Sequence, residues 1–346
     1  MIASDSIYLN ATQSLNTIGR PPIWMMRQAG RYMPTYRAIR EKHTFLEMIR
    51  TPEIATDITL QPIDQFGFDA AILFSDILVT AEVLGRKVEF VEKKGPIFDR
   101  AIRTMADVAE LFTDHVTEKL AYVTSAIRLL KPELQKRNTP LIGFAGAPFT
   151  VAAYMVEGQS SSDLKILKTM LFNDPGTVHA LLEKLTKVTI DYLNAQIEAG
   201  VDALQLFDTW AIHLSWDDVQ EFSFNYIHKI LENLHNPRRI PITLFAKGSS
   251  AFAPLMATMP IDVISLDWNA DLRCMRQQYP QLAIQGNLDP YVLYASPDIL
   301  TERISRLLGA MGRDPGYVFN LGHGIMPDMN PESIRRVVDI VKGYRA

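Results

Sequence analysis

Gly200-Val201-Asp202-Ala203-Leu204-Gln205-Leu206-Phe207-Asp208 opens on a helix stop, turns, runs through a short buried strand and ends on an acid. The same order recurs in Gly67-Phe68-Asp69-Ala70-Ala71-Ile72-Leu73-Phe74-Ser75-Asp76, and more loosely in Pro260-Ile261-Asp262-Val263-Ile264-Ser265-Leu266-Asp267. Strands apolar on both faces, each arriving from a helix, belong to parallel sheets covered by helices. Working outward, eight such runs appear: Ile23–Met26, Ala70–Phe74, Leu141–Ala145, Ala203–Phe207, Ile242–Ala246, Val263–Leu266, Leu282–Ile284 and Tyr317–Leu321. Helix signals fill the gaps. Thr51-Pro52-Glu53 offers an N-cap, a proline at the first helical position and an acid in the first turn, with Gly67 as the stop. Asp174-Pro175 opens a helix that ends at Gly200; Ser296-Pro297-Asp298 and Asn330-Pro331-Glu332 open two more, the last closing near Gly343. The pattern predicts an α/β fold, a (β/α)₈ TIM barrel forming a single domain over residues 1–346, with residues 1–20 as an N-terminal extension. An open doubly wound sheet is the alternative.

Composition narrows the function. The chain has 346 residues, 47% of them hydrophobic, and a net charge of -4. That is enough apolar material for a large core, and the charge balance gives no footprint for nucleic acid. Residues 1–13 lack a basic start followed by an apolar core, so no signal peptide is expected. The charge-free stretch Asn138–Val156 is broken by Pro140, Pro148, Gly143 and Gly146, and reads as strand, turn and helix start rather than as a membrane span. One cysteine, Cys274, excludes an internal disulfide and any multi-thiolate metal site. A cytoplasmic protein without a membrane or nucleic-acid partner is expected.

Barrels of this kind build their sites at the C-terminal ends of the strands. There the chain offers Arg27 and Arg31, Ser75 and Asp76, Gly146 to Thr150, Asp208 and Thr209, Lys247, Asp267, Asn287 and His323. Arg27 and Arg31 stand four residues apart in Met26-Arg27-Gln28-Ala29-Gly30-Arg31-Tyr32, within a segment where Arg20, Arg37, Arg40, Lys42 and Arg50 meet only Glu41 and Glu47. A guanidinium presents its donors in a planar fork suited to carboxylate or phosphate; a solvated basic loop is the plainer reading. His323, between two glycines, either reaches the site or bonds its own turn. Asp76, between Phe74-Ser75 and Ile77-Leu78, is either a functional anion in apolar surroundings or a cap for the next helix. His228 and His235 lie on a helix face with Glu232 between them, and His43, His115, His179 and His213 read as structural.

Five motifs together resemble the uroporphyrinogen decarboxylase family: Trp24-Met25-Met26-Arg27-Gln28-Ala29-Gly30-Arg31-Tyr32, Phe74-Ser75-Asp76-Ile77-Leu78, Gly143-Phe144-Ala145-Gly146-Ala147-Pro148-Phe149-Thr150, Gln285-Gly286-Asn287-Leu288-Asp289-Pro290 and Leu321-Gly322-His323-Gly324. The resemblance implies a (β/α)₈ barrel, a homodimer and a reaction without metal or other cofactor. The reaction turns the four acetate side chains of uroporphyrinogen III into methyl groups, giving coproporphyrinogen III. It places substrate contacts on the run Arg27, Gln28, Ala29, Gly30 and Arg31, and on Phe45, Asp76, Tyr154, Thr209 and His323, with Asp76, Arg27 and Arg31 closest to the chemistry. The proton donor is left open. Thr209 stands where relatives can carry serine, and Ala211-Ile212-His213 departs from a small, glycine-containing run. A corrinoid-dependent methyltransferase would share the barrel, but its zinc site needs a His/Cys set that one cysteine cannot supply. A non-catalytic tetrapyrrole carrier is the third reading; a buried Asp76 does little for a carrier of polyanions.

Overall fold

Asp69, Asp202 and Asp262 hold the same place in the three repeats, and a computed structural model describing residues 5–91 and 94–345 shows what that place does. Each aspartate clamps the foot of the preceding stave with its own backbone N–H and its carboxylate. Asp202 donates to Leu141 O (2.8 Å) and accepts from Leu141 N (2.8 Å). Asp262 does the same to Ile242 (2.9 and 2.8 Å), and Asp69 to Ile23 (2.8 and 2.9 Å). The repeat is a staple between neighbouring strands.

Nine strands form among the described residues: β1 (Ala71–Ile72), β2 (Val88–Val91), β3 (Gly95–Phe98), β4 (Leu141–Gly146), β5 (Ala203–Asp208), β6 (Ile242–Ala246), β7 (Val263–Ser265), β8 (Ala283–Leu288) and β9 (Tyr317–Leu321). Seven of them make one parallel sheet in the order β1-β4-β5-β6-β7-β8-β9, and the helices between them cover its outer face. The eighth stave is the run expected as the first strand. It forms only one parallel bridge, Ile23 to Phe319 of β9, while its other edge meets Asp69 just before β1. That closes the curl into a barrel.

The shortfall at this stave has a local cause. Pro21 and Pro22 precede it and carry no N–H for a ladder. Beyond Ile23, side chains replace strand partners: Met25 N–H donates to Gln28 Oε1 (3.2 Å) and Met26 N–H to Asn320 Oδ1 (3.1 Å). Ile23, Trp24 and Met25 are fully buried, each worth roughly 1.5–3 kcal/mol in burial. Inside the barrel Trp24 Nε1 donates to Gln285 Oε1 (2.8 Å), and Gln285 Nε2 donates to Gln205 Oε1 (3.1 Å) and Ser265 Oγ (2.9 Å). These polar groups hold one another in the core, with only Gln205 Nε2 of the set left without a partner among the described residues.

β1 is only two residues long, which leaves the adjacent edge of β4 without a strand at Phe144. Gln196, on the helix Pro175–Ala199, fills in with its amide, bonding both Phe144 N (3.0 Å) and Phe144 O (2.9 Å). A Cβ on Gly143 would lie 2.4 Å from Gln196 Oε1, so only glycine admits the amide there.

The expected helices Pro52–Phe66, Pro175–Ala199, Pro297–Met311 and Pro331–Gly343 form, with Gly67 and Gly200 in the left-handed conformation after the first two. Asp174, Ser296 and Asn330 cap by side chain; Thr51 occupies the cap position without a side-chain bond, correcting the reading of Thr51-Pro52-Glu53. The charge-free stretch is β4 followed by the helix Pro148–Glu157. The sequence reading did not include the antiparallel hairpin β2-β3. Of the segment expected as an extension, residues 1–4 lie outside the described ones. Tyr8 and Ala11, in the helix Ile7–Ala11, are fully buried, with Tyr8 beside Thr243 at the foot of β6. No helix among the described residues is long and apolar enough to cross a membrane.

Closure at Asp69 has a measurable weight. Its carboxylate also takes two bonds from Arg20 (2.8 and 2.9 Å) and is 8% exposed. Asp69→Ala is expected to lower the unfolding free energy by about 3 kcal/mol, the range for stripping one partner from a largely buried ion pair. Urea titration reads this against an exposed control, Glu302→Ala; equal losses in the two variants would mean that closure does not depend on the clamp.

Candidate active site

Each stave delivers its last residues to one end of the barrel, where Arg27, Arg31, Asp76, Tyr154 and His323 come within electrostatic reach of one another. The first stave ends in a tight turn, with Gln28 N–H on Met25 O (3.0 Å) and Arg27 in the left-handed region (φ 63°). This turn throws the Arg27 side chain over the barrel mouth. The loop after β9 locks it from the other side: Ile325 N–H donates to Met26 O (3.0 Å), and a Cβ on Gly324 would fall 2.4 Å from Arg27 Cδ. Gly322 is as constrained, since its Cβ would meet Trp268 N at 2.4 Å. The two glycines beside His323 therefore seat one loop against another and against the arginine stem.

Asp76 follows β1. One carboxylate oxygen accepts Leu78 N–H (2.8 Å), closing a turn; the other has no donor among the described residues. The helix cap expected as the alternative does not form: the next helix, Val79–Val83, has Leu78 at its cap position without a side-chain bond. Burial pushes this carboxyl up to about 6, opposed by the Leu78 bond, raised further by Glu82 and lowered by Arg27. Solvent still reaches Asp76 through the cleft, but protein surrounds it closely enough for the desolvation to dominate.

The acids at the other repeat ends behave differently. Asp208, fully buried, accepts from Thr150 Oγ1 (2.6 Å) and from the Ser223 hydroxyl. Asp267, also fully buried, accepts from Gly248 N (2.6 Å) and Asn269 N (3.2 Å). Both use their oxygens to shape loops. Asp76 alone of the three keeps an oxygen free.

Tyr154, on the helix Pro148–Glu157, sits edge-on to Trp210 at 5.7 Å between centroids, and its phenol feels the charges of Asp76 and Arg27. Burial raises it above the ordinary phenol range. His323 lies 6.1 Å from the Phe245 ring, and its Nδ1 is buried without a partner among the described residues. Burial, then Arg27 and Lys247, push its imidazole down to about 3, so the ring is neutral at physiological pH. Phe144, Phe207 and Phe245 run from β4 to β6 with centroids 5.7 and 6.2 Å apart; Phe144 and Phe207 keep a little accessible surface and form an aromatic floor, while Phe245 is fully buried against His323.

Arg27 and Arg31 are solvent-exposed and form no ion pair among the described residues, whereas Arg20 and Arg50 pair with Asp69 and Glu82. Enclosure and Arg31 weaken the hold of Arg27 on its proton; Tyr154 and Asp76 restore part of it. A guanidinium stays charged regardless. Phe45 forms a side wall, edge-on to Phe74 (5.9 Å) and to Phe90 of the hairpin (4.6 Å). Thr209 follows β5 beside Trp210, whose N–H is tied to Thr150 Oγ1 (3.2 Å). Ala211–His213 forms a single 3₁₀ turn with Ala211 buried and Ile212 exposed.

One expected contact is corrected. Gln28 is fully buried, its amide spent on Met25 N and Ala70 O (3.2 Å), so its side chain braces the first stave against β1 rather than facing the cleft. Ala29 and Gly30 are partly exposed and offer backbone. No group of three or more His, Cys, Asp or Glu residues able to hold a metal occurs among the described residues. His228 pairs with Glu232 on its helix (3.1 Å).

A family profile described as uroporphyrinogen decarboxylase (URO-D) matches residues 5–344. The chain is 46% identical over 338 residues to the uroporphyrinogen decarboxylase of Protochlamydia amoebophila, covering 97% of this chain and 91% of that one. It is also 46% identical over 325 residues to that of Geobacter metallireducens, covering 94% of each. Among solved structures, a methyltransferase from Methanosarcina mazei superposes with a TM-score of 0.82 at 18% identity, over 99% of both chains; at that identity the likeness concerns the fold alone.

Gly324 gives the test of this packing. Gly324→Ala should push the Arg27 guanidinium aside and lower turnover of the family's substrate on the order of a hundredfold, as small misplacements do. Thermal unfolding should shift far less. Unaltered kinetics would mean that Arg27 needs no seat.

Proposed function

The chain belongs to the uroporphyrinogen decarboxylase family, and on that premise we propose how its cleft handles the substrate. The activity is that of a carboxy-lyase: the four acetate arms of uroporphyrinogen III become methyl groups and coproporphyrinogen III results. The observation that carries the mechanism is the pairing of unpaired cations with one unpaired anion over an aromatic floor. The substrate is a cyclic tetrapyrrole with carboxylates around its rim and N–H groups at its centre. Arg27 and Arg31 take rim carboxylates. Asp76, with its free oxygen, accepts the central N–H groups.

Losing CO₂ requires a place for the electron pair of the breaking C–C bond. A proton added at the neighbouring pyrrole carbon makes the ring a cation, and the pair flows into it as CO₂ departs. A second proton then completes the methyl, and the ring carbon gives up the first. One proton is consumed net for each CO₂. The Asp76 carboxylate stabilises the ring cation more than the neutral ring, which lowers the barrier instead of merely tightening binding. Tyr154 and His323, neutral at physiological pH, orient the rim without adding charge, and Thr209 offers a hydroxyl. Phe144 and Phe207 carry the macrocycle face. This division of labour calls on no metal or other cofactor. A homodimer in the cytoplasm is the assembly proposed with it, for which Ile212 and Trp216, 41% and 45% exposed, offer apolar surface.

Two measurements test this reading. Purified protein incubated with uroporphyrinogen III under reducing conditions, with a chelator present, should release four CO₂ per macrocycle; an unchanged substrate would overturn the assignment. In the pH profile, Asp76 must be ionised. Its carboxyl lies near 6, so kcat/KM should fall as pH drops through that value, while His323, near 3, adds no step between about pH 5 and 8. The same raised carboxyl contributes stability that is full below the ordinary carboxylate range and lost as pH rises through about 6.

A further inference from the structure

Lys247 leaves the sheet directly after β6, where its N–H donates to Asp208 O (3.1 Å) and so fixes the direction of its stem. It is partly exposed, and its ammonium lies 5.7 Å from the centre of the Trp268 ring. No carboxylate among the described residues pairs with it. The acids at the neighbouring strand ends, Asp208 and Asp267, spend their oxygens on Thr150 and Ser223, and on Gly248 and Asn269. Its charge is felt by His323 on one side and by His213 on the other, which places it over the cleft wall opposite the short β1. A lysine held at a strand end, over an aromatic face and in no ion pair among the described residues is a cation open to a counter-charge from outside the chain.

We propose that the Lys247 ammonium binds one of the carboxylates that the substrate keeps, adding a fourth subsite to the cleft on the side away from Asp76. The proposal rests on the decarboxylase reading. The choice of a retained carboxylate follows from the chemistry. An ammonium clamped on the carboxylate that leaves would stabilise the ground state and oppose loss of CO₂, because the charge it holds disappears in the transition state. On a carboxylate that stays, the same contact contributes equally to ground and transition states, so it serves binding alone. Retained carboxylates are present at every stage and in the product, so the subsite has a partner each time the macrocycle turns to present another acetate.

The contact predicts a split between kinetic constants. Lys247→Met should raise KM for uroporphyrinogen roughly tenfold or more, as expected for a charged hydrogen bond removed, and leave kcat within about twofold. Its affinity for coproporphyrinogen, measured by direct binding, should fall by the same factor. Lys247→Arg, which keeps the charge, should recover most of both. Thermal unfolding of each variant separates these effects from loss of fold. Unchanged product affinity in folded Lys247→Met, or a fall in kcat with KM preserved, would overturn the subsite. Product binding needs no turnover, so it decides the role of Lys247 even if the wild-type protein failed to decarboxylate uroporphyrinogen, an outcome that would overturn the activity instead.

Discussion

Closure of the barrel by a stave that is barely a strand is the constraint on which the site depends. Ile23 is held on one edge by Phe319 and on the other by Asp69, and nothing else in the sheet joins β9 to β1. Arg27 follows four residues later and Asp76 seven residues after Asp69. The clamp that closes the barrel therefore also brings the site's anion and the Arg27 cation to the same mouth. The regular strands β4 to β9 supply the rigid wall against which that pair is set. The short β1 leaves a gap that Gln196 repairs from outside, and the chain turns in toward the cleft directly beyond it.

Electrostatics explains why the pair stays unpaired. In most of the chain, cations near the barrel are matched: Arg20 with Asp69, Lys131 with Asp202, Arg276 with Asp314. At the mouth, Arg27, Arg31 and Lys247 have no such match among the described residues. An isolated ion in a partly enclosed site is costly, and proteins retain such charges where a ligand completes them. A polyanion with a ring of N–H groups completes both signs at once, the rim meeting the cations and the centre meeting Asp76. The low pKa of His323 belongs to the same field: a second cation there would repel Arg27, and the neutral ring can instead offer a donor or an acceptor.

The fold was legible because its repeat writes the staple into the chain. A helix stop (Gly67, Gly200 or Pro260), an aspartate two residues on and a short apolar run mark three strand starts, and seven of eight expected strands form. The first did not, because Pro21 and Pro22 and the amides of Gln28 and Asn320 replace ladder bonds, a substitution that periodicity cannot reveal. The hairpin β2-β3 went unread since Val88–Val91 and Gly95–Phe98 carry charges and a proline and lack a run of apolar residues. Of the candidate site, the positions at strand ends were readable, but their status was not. Asp76, Asp208 and Asp267 look alike in sequence; only the partners Thr150, Ser223, Gly248 and Asn269 separate structural acids from the free one. Gln28 sits inside the most informative motif and turns out to brace it. The weight of Lys247 could be read only after the neighbouring acids were seen to be engaged.

The central claim is that Asp76 acts as an anion toward a cation that exists only during the reaction. Its most direct test compares Asp76→Asn and Asp76→Glu in kcat for uroporphyrinogen decarboxylation, beside thermal unfolding at neutral pH. Asp76→Asn keeps the shape and the acceptor toward Leu78 but loses the charge, and the account predicts a fall in kcat on the order of 10²–10³. Asp76→Glu keeps a displaced charge and should retain more activity. Because the carboxylate is ionised at a cost to the fold, the asparagine variant should melt no lower than the wild type. Normal turnover in Asp76→Asn together with a much lower melting temperature would contradict the account and leave Asp76 as the cap of its own turn.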